Sequence, residues 1–361
     1  MRLGGVWRAV NLVSGIVGML PCKVLVEADD GGKSVAKNDP RYRLVRRKAS
    51  PEISAAAFRE TLTSHAMLRG NGYGYILRDT TFRPLAMWPL DPDQTFAARD
   101  DSGVLWYVTK ILGEPRRVAA HNILHIRGLG DNGITGHSVV SYFAEEGGLA
   151  TAARDFASLY YANGANPGGV LEWPQALSET ALKRLRESLA QQHDGLANAN
   201  RMMILEEGGK FSNTSIPAKD TQLLDSRKFS LIEIANWFGV PPHVLGDSSR
   251  TAYNSLAAEN QAFLDYGLNP WLVRWEDEYR AKLLTESEQD SETLVIEFTR
   301  EALVRADLPA RGAFYQQAVG RPWLTVNEAR RQESLPTIEG GNVLGTQANQ
   351  AATPAANPPP V

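Results

Sequence analysis

The chain has 361 residues, 43% hydrophobic and 22% charged, with 38 basic against 41 acidic side chains and a formal charge of −3. That length suits two domains or one large domain with insertions, and the balanced charge excludes a generally basic protein that coats nucleic acid. One cysteine, Cys22, excludes a disulfide scaffold and a zinc site built on several thiolates, and suits a reducing compartment.

Met1-Arg2 followed by the apolar run Val10 to Leu20 has the outline of a signal peptide, but Arg8, Asn11 and Ser14 interrupt it and no small-x-small cleavage site precedes Pro21. Val6, Val10, Val13 and Val17 share one helical face, so the segment reads as an amphipathic helix ended by Pro21. No stretch approaches the roughly 18 consecutive apolar residues of a membrane span. Residues 1–140 read as mixed α/β. Cys22 to Glu27 is a strand and Asp29 to Lys33 a turn, and Ser54 caps a helix carrying Phe58, Leu62 and Met67 that stops at Gly70. Tyr73–Leu77, Leu85–Trp88, Leu105–Lys110 and Ile123–Ile126 read as strands, with hairpin-turn chemistry at Asp100-Asp101-Ser102-Gly103.

A helical period then runs from Ser138 or Ser141 to Asn163-Gly164, about 22 residues and roughly 33 Å at 1.5 Å per residue. Gly147, Gly148, Ala150, Ala152, Ala153 and Ala157 keep it small-sided, which suits a core helix or one stave of a ring. Residues 165–217 form an α/β insert: a strand at Val170-Leu171, a helix from Ser178 to His193, and a hairpin of Met202–Leu205 with Phe211–Ile216. A helix from Lys219 to Phe238 ends at Gly239 and Pro241-Pro242, and Leu245 to Arg250 is a polar loop. A longer helix continues from Thr251 to Leu284 with a kink expected at Asn269-Pro270. Helices from Glu301 to Val319 and Val326 to Gln332 follow, and the Gly/Asn/Ala/Pro tail from Gly340 reads as disordered. Charge segregates along the chain. Residues 1–50 carry 10 basic and 4 acidic side chains, and residues 251–302 carry 4 basic and 11 acidic. Such runs read as solvated faces or as surfaces suited to self-assembly.

Catalytic chemistry is hard to find. His121 and His125 have metal-ligand spacing only on a helix. In the strand-like run His121 to His125 they share one sheet face about 13 Å apart, with no carboxylate motif beside them. Gly70-Asn71-Gly72-Tyr73-Gly74 follows a helix and enters a strand, the reverse of the order that seats a phosphate on a helix N-terminus, so it reads as a tight connection. There is no G-x-S-x-G, no P-loop and no specific Cys–His pairing. No catalytic residue, metal ligand or cofactor site is assigned. An enzyme of unrecognised type, using His65 or His125, is the alternative.

The run from Arg227 to Asp247 (RKFSLIEIANWFGVPPHVLGD) resembles the signature of the portal proteins of tailed bacteriophages, siphophage type. It continues through Thr251-Ala252-Tyr253-Asn254-Ser255, Glu259 to Leu264 and Leu268-Asn269-Pro270-Trp271. Leu68 to Tyr73 with Pro89-Leu90-Asp91-Pro92, then Ala162 to Ala165 with Gly169-Val170-Leu171, are similar to the same family, in the same order, over most of residues 5–340.

The resemblance implies an α+β portal fold: an α/β wing (1–140), a stem helix (141–164), a small α/β clip insert (165–217), a second stem helix (218–239), a tunnel loop (240–252), a long kinked helix returning to the wing (253–300), a helical crown (301–339) and a disordered tail (340–361). It implies a homo-oligomeric ring, usually of twelve subunits, at one capsid vertex of the virion, assembled in the host cytoplasm without a membrane. Double-stranded DNA passes through the ring during packaging and ejection, without sequence readout. The implied partners are a large terminase that supplies the ATPase, a head–tail connector or adaptor, and the major capsid or scaffold protein. The channel segment is Gly246, Asp247, Ser248, Ser249 and Arg250, and Arg227, Lys228 and Arg250 are candidate DNA-backbone contacts. One acid and one base among small residues suit weak, transient contact, because many Lys/Arg–phosphate pairs bind too tightly for movement. Trp173, Met202 and Met203 are candidate partner-binding residues of the clip, with burial in its small core as the other reading. An upstream segment common in relatives is absent from this sequence. A bacterial or phage-derived assembly ring, as in a gene-transfer particle, is the alternative assembly.

Overall fold

Helix α1 (Gly4–Met19) buries Val6, Ala9, Val10, Val13 and Val17, the stripe expected from the valine spacing, and packs on α3 (Ala55–Arg69). In the computed structural model the described residues are 3–27, 32–111, 113–148, 231–246, 259–291, 293–300, 308–319, 323–332 and 335–344, with short pieces between 151 and 213. They belong to two units, 1–298 and 299–361.

Ser54 caps α3 through the Ala57 N–H, and the helix stops at Gly70, whose φ of 79° is the left-handed conformation of a helix C-cap. Between them lies α2 (Pro40–Arg46), capped by Asp39 and carrying proline at its first position. β1 (Cys22–Glu27) is the centre of a three-stranded antiparallel sheet, with β2 (Lys33–Val35) on one side and β11 (Leu294–Phe298) on the other. The register pairs Cys22 with Phe298 and Val24 with Ile296, so the N-terminal segment is tied to a strand some 270 residues away.

A second sheet has the order β4 (Pro84–Leu90), β3 (Asn71–Arg78), β8 (Ile123–Arg127). β3 alternates strictly. Gly72 and Gly74 face α3, where a Cβ on Gly72 would overlap the Leu62 carbonyl and one on Gly74 would lie 2.6 Å from the Phe58 ring. Tyr73 and Tyr75 face the opposite way, into a cluster with Tyr107, Val118 and Ile123. That cluster joins β3 to the meander β5 (Phe96–Arg99), β6 (Leu105–Ile111) and β7 (Glu114–Ala119), whose first hairpin turns at Asp100 to Gly103 as expected. His121 is not in a strand with His125: residues 120–122 form a 3₁₀ turn, and β8 begins at Ile123. Ordering two separate elements there breaks the shared face that the spacing suggests.

Two segments follow β8. α4 (Val139–Tyr142) starts at a Ser138 cap, and residues 144–148, 151–152, 155 and 158 are helical. β9 (Gly169–Glu172) pairs antiparallel with β10 (Lys210–Asn213); Met202–Leu205, the hairpin partner expected for the second strand, lies outside the described residues. The second long helix is described over 231–238 as α5 and stops at Gly239 as expected, followed by α6 (Pro242–Leu245). The chain then re-enters as a π-helical segment, Phe263–Leu268, that runs into α7 (Asn269–Leu283). The irregularity expected at Asn269-Pro270 is thus the widened turn just before the proline, where Gly267 meets the Gly239 carbonyl too closely for any Cβ.

α7 is the spine of the first unit. Trp275 and Tyr279 are fully buried, and the Trp275 indole N–H donates to Thr63 Oγ1 at 3.0 Å. The Lys282 ammonium donates to the Ala120 carbonyl, and Arg78 donates to the Lys282 carbonyl at 2.5 Å. Much of the acidic run is used inside the chain rather than offered to solvent. Glu276 accepts the Phe298 N–H at 2.8 Å and Glu278 the His125 N–H at 2.9 Å. Glu288, in α8 (Glu286–Asp290), pairs with Arg41, and Glu297 pairs with Lys33. The opposite charges of the two ends therefore meet in one chain, because β1 and β11 are neighbours.

The second unit contains α9 (Leu308–Ala318) and α10 (Val326–Gln332), the latter opened by a Thr325–Glu328 capping box. Residues 340–342, expected within a structureless tail, are bound to Asn327: its backbone N–H donates to the Gly341 carbonyl at 2.8 Å and its amide group to Asn342 Oδ1 at 2.8 Å.

Candidate functional site

The segment singled out for function begins where α5 ends. α5 packs Trp237 face to face on Phe143, ring centroids 4.8 Å apart, while Leu231 and Ile234 reach the α1 backbone at Gly5. Gly239 and Gly246 both have left-handed φ, 63° and 110°, and frame the short α6. Within α6, His243 is the anchoring side chain. Its Nδ1 is 2.8 Å from Glu259 Oε2 and its Nε2 is 3.2 Å from Asn260 Oδ1. The feet of segment 244–258 are thereby held together, leaving Gly246 just inside the clamp. Of the expected channel residues Gly246 is described; Asp247, Ser248, Ser249 and Arg250 lie outside the described residues, as do Arg227, Lys228, Trp173, Met202 and Met203. The His243–Glu259 pair escaped the sequence reading because an i, i+16 spacing carries no motif.

The route into α4 has its own polar centre. The Gly136 backbone donates to Asn71 Oδ1 and accepts from Asn71 Nδ2, both at 2.8 Å, which fixes the orientation of that amide. Asn71 Oδ1 is therefore an acceptor for His125 Nε2 at 3.0 Å, so Nε2 carries the proton and Nδ1 accepts from the Tyr107 hydroxyl at 3.0 Å. His125 is buried, flanked by the Tyr73 ring at 4.3 Å, and burial pushes its pKa down to about 3. A neutral histidine with both nitrogens engaged is a structural tie, not a proton shuttle. Glu278, beneath its backbone, is pushed up by burial. Further bonds from Gly128 N–H to the Gly70 carbonyl and from Ser138 Oγ to the Leu68 carbonyl seat residues 128–138 on the end of α3.

His65, the other histidine of the enzyme alternative, is half-buried with its pKa lowered by desolvation and has no hydrogen bond at Nδ1. His121 packs on Phe82 at 5.8 Å. Among the described residues no group of three His, Cys, Asp or Glu side chains is placed to hold a metal ion, and no helix is long and apolar enough to cross a membrane.

The family described as "Phage portal protein" matches residues 5–333. The portal protein of Enterobacteria phage HK97 is 30% identical over 353 residues, 96% of this chain and 82% of the relative. Among solved structures, a chain of the neck of an empty gene transfer agent (GTA) particle, computed with C6 symmetry, aligns with a TM-score of 0.64 at 22% identity, covering 92% of this chain and 90% of the other. A chain of the native GTA neck, computed with C12 symmetry, aligns at 0.60 and 20% identity, covering 92% and 91%.

Proposed function

The chain belongs to the phage portal protein family, and from that premise we propose how its parts serve as a portal. It is a structural component of a phage or phage-derived particle, not an enzyme. Copies of the chain close into a ring of about twelve, a reading supported by the native GTA neck computed with C12 symmetry. Residues 1–140 and 253–300 form the wing, 141–164 and 218–239 the stem, 165–217 the clip and 301–339 the crown. Exposed apolar side chains suit a surface buried by neighbouring copies: Leu129 is 83% and Tyr266 82% accessible in the single chain.

The channel segment is Gly246 to Arg250 within loop 240–252, and the His243–Glu259 pair supports this reading by bracketing it on a fixed base. Duplex DNA passes it through backbone contacts to Arg250, with Arg227 and Lys228 lower on the stem. The clip, through Trp173, Met202 and Met203, receives the large terminase during packaging and the connector afterwards; capsid or scaffold protein meets the outside of the ring, in the host cytoplasm before the virion is complete. The observation that carries the proposal is the family match across residues 5–333.

Its test uses the silent native thiol. Cys22 is buried with its pKa pushed up to about 12, so it resists alkylation. Rings of Ser249→Cys labelled with a bulky maleimide are expected to stop DNA packaging, whereas label at Asp101→Cys, in an exposed hairpin turn, leaves it intact. Equal packaging by both labelled rings would remove 246–250 from the channel.

A further inference from the structure

α2 is a seven-residue helix with a fixed seat. Leu44 and Val45 are buried, the Val45 carbonyl accepts from buried Arg59 at 2.6 Å, and Arg41 is gripped by Asp39 and Glu288, each at 2.7 Å. On that base Arg43, Arg46, Arg47 and Lys48 are all exposed. Among the described residues none of the four side chains forms an ion pair or hydrogen bond. Other surface arginines of this unit do find acids: Arg69 pairs with Asp93 and Arg117 with Asp100.

The C-terminal end of a helix favours cations, which accounts for Arg43 and Arg46 in the last turn. That preference extends to Arg47, the C-cap, but not to Lys48 beyond it. Glu286 and Asp290 on α8 are exposed and have the right sign to neutralise the ridge from a second copy. But the Arg41–Glu288 bridge sets α8 beside α2 on the same chain, and a head-to-tail ring contact joins two different faces. A second copy is therefore a poor match, and the ridge fits a polyanion from outside the ring.

We propose that Arg43, Arg46, Arg47 and Lys48 form a docking ridge for the phosphodiester backbone of double-stranded DNA. This rests on the portal reading, which brings a duplex to the ring, and it adds a contact within residues 1–140, remote in sequence from the 246–250 segment past which the duplex moves. Three of the four cations are arginines, whose planar forks suit bidentate phosphate contacts. No base readout is expected, because nothing on so short a helix enters a groove.

The experiment is fluorescence anisotropy of a 30-base-pair duplex with the full chain at rising salt, with electron microscopy of the same sample for rings. Replacing all four residues with alanine is expected to weaken binding at least about tenfold near 0.1 M salt. The log–log salt slope should become shallower by about 3.6 per engaged chain, near 0.9 for each of the four lost phosphate contacts. Arg43→Lys with Arg46→Lys and Arg47→Lys, a milder variant, should keep most of the slope. Unchanged affinity and slope in the alanine variant would overturn the ridge, as would equal displacement of the duplex by poly-glutamate of matched charge, which assigns it to an acidic polypeptide. Rings that bind no duplex sink the ridge and leave the portal reading standing; a chain that never forms rings counts against the portal reading itself.

Discussion

Arg59 and His125 are both buried side chains that hold backbone in place, yet they do it with opposite electrostatics. Arg59 directs its guanidinium N–H groups at carbonyls: Val17, Gly18 and Leu20 at the end of α1, and Val45 near the end of α2. No carboxylate joins it in those bonds; the helix-end carbonyls, themselves short of donors, supply the negative potential. His125 gives up its charge and sits in a chain of neutral hydrogen bonds between Tyr107 and Asn71. The first centre locks α1, α2 and α3 into a core. The second fixes the path of residues 128–138 into α4. A cation is used where several carbonyls converge, and a neutral ring where one donor and one acceptor face each other.

Substitutions can break this contrast in graded fashion. Arg59→Met should be the most damaging, at about 3–5 kcal/mol, because it strands the carbonyls in an interior that water does not reach; chemical denaturation reads the loss. A cost under about 1 kcal/mol would mean that the α1 end does not depend on the cation. Asn71→Ala should cost about 2–3 kcal/mol by orphaning the Gly136 N–H and the His125 Nε2–H. Amide exchange at Gly136 should speed up while Cys22 and Val24 in β1 keep their protection.

The pH dependence sharpens the comparison further. His125 has a folded pKa near 3, below its ordinary value of 6.5. The unfolded chain therefore binds the extra proton first, and the stabilisation present above pH 6.5 is lost as pH falls towards 3. His125→Gln should flatten stability between pH 6.5 and 5. An unaltered slope would place the titration elsewhere. The smallest effect belongs to the partly buried Arg41–Glu288 pair. Glu288 is held down at about 2 by Arg41, so its contribution is present above pH 4.5 and disappears as pH falls through 2. Glu288→Gln should cost about 1 kcal/mol or less at pH 7 and blunt only that acid limb of the melting profile.

Local chemistry made part of the fold legible. The valine stripe of α1, the Ser54 cap and Gly70 stop of α3, and the Asp100 to Gly103 turn are all contained within a few residues of sequence. α2 carried a usable signal in Asp39-Pro40, but its seven residues bury only Leu44 and Val45, too few for a helical period to register. β2 is fully exposed and β7 shows Glu114, Arg116 and Arg117 to solvent, so neither strand has the apolar alternation by which strands are read. The β1–β11 pairing and the Asn71–His125–Tyr107 chain join residues far apart in sequence, and no spacing rule anticipates them. Glu276 and Glu278 looked like solvated charge and instead cap backbone N–H groups, a role set wholly by the tertiary path of β8 and β11. For the candidate channel and clip residues, the family resemblance supplied what periodicity and motif could not.

The central claim is that this chain builds a portal ring, and negative-stain electron microscopy with native mass spectrometry on one purified sample tests it directly. Closed rings of about twelve copies are expected, with a central hole wide enough for a duplex; the native GTA neck was computed with C12 symmetry. A clean monomer or dimer at high concentration, persisting after capsid or scaffold protein is added, would contradict it.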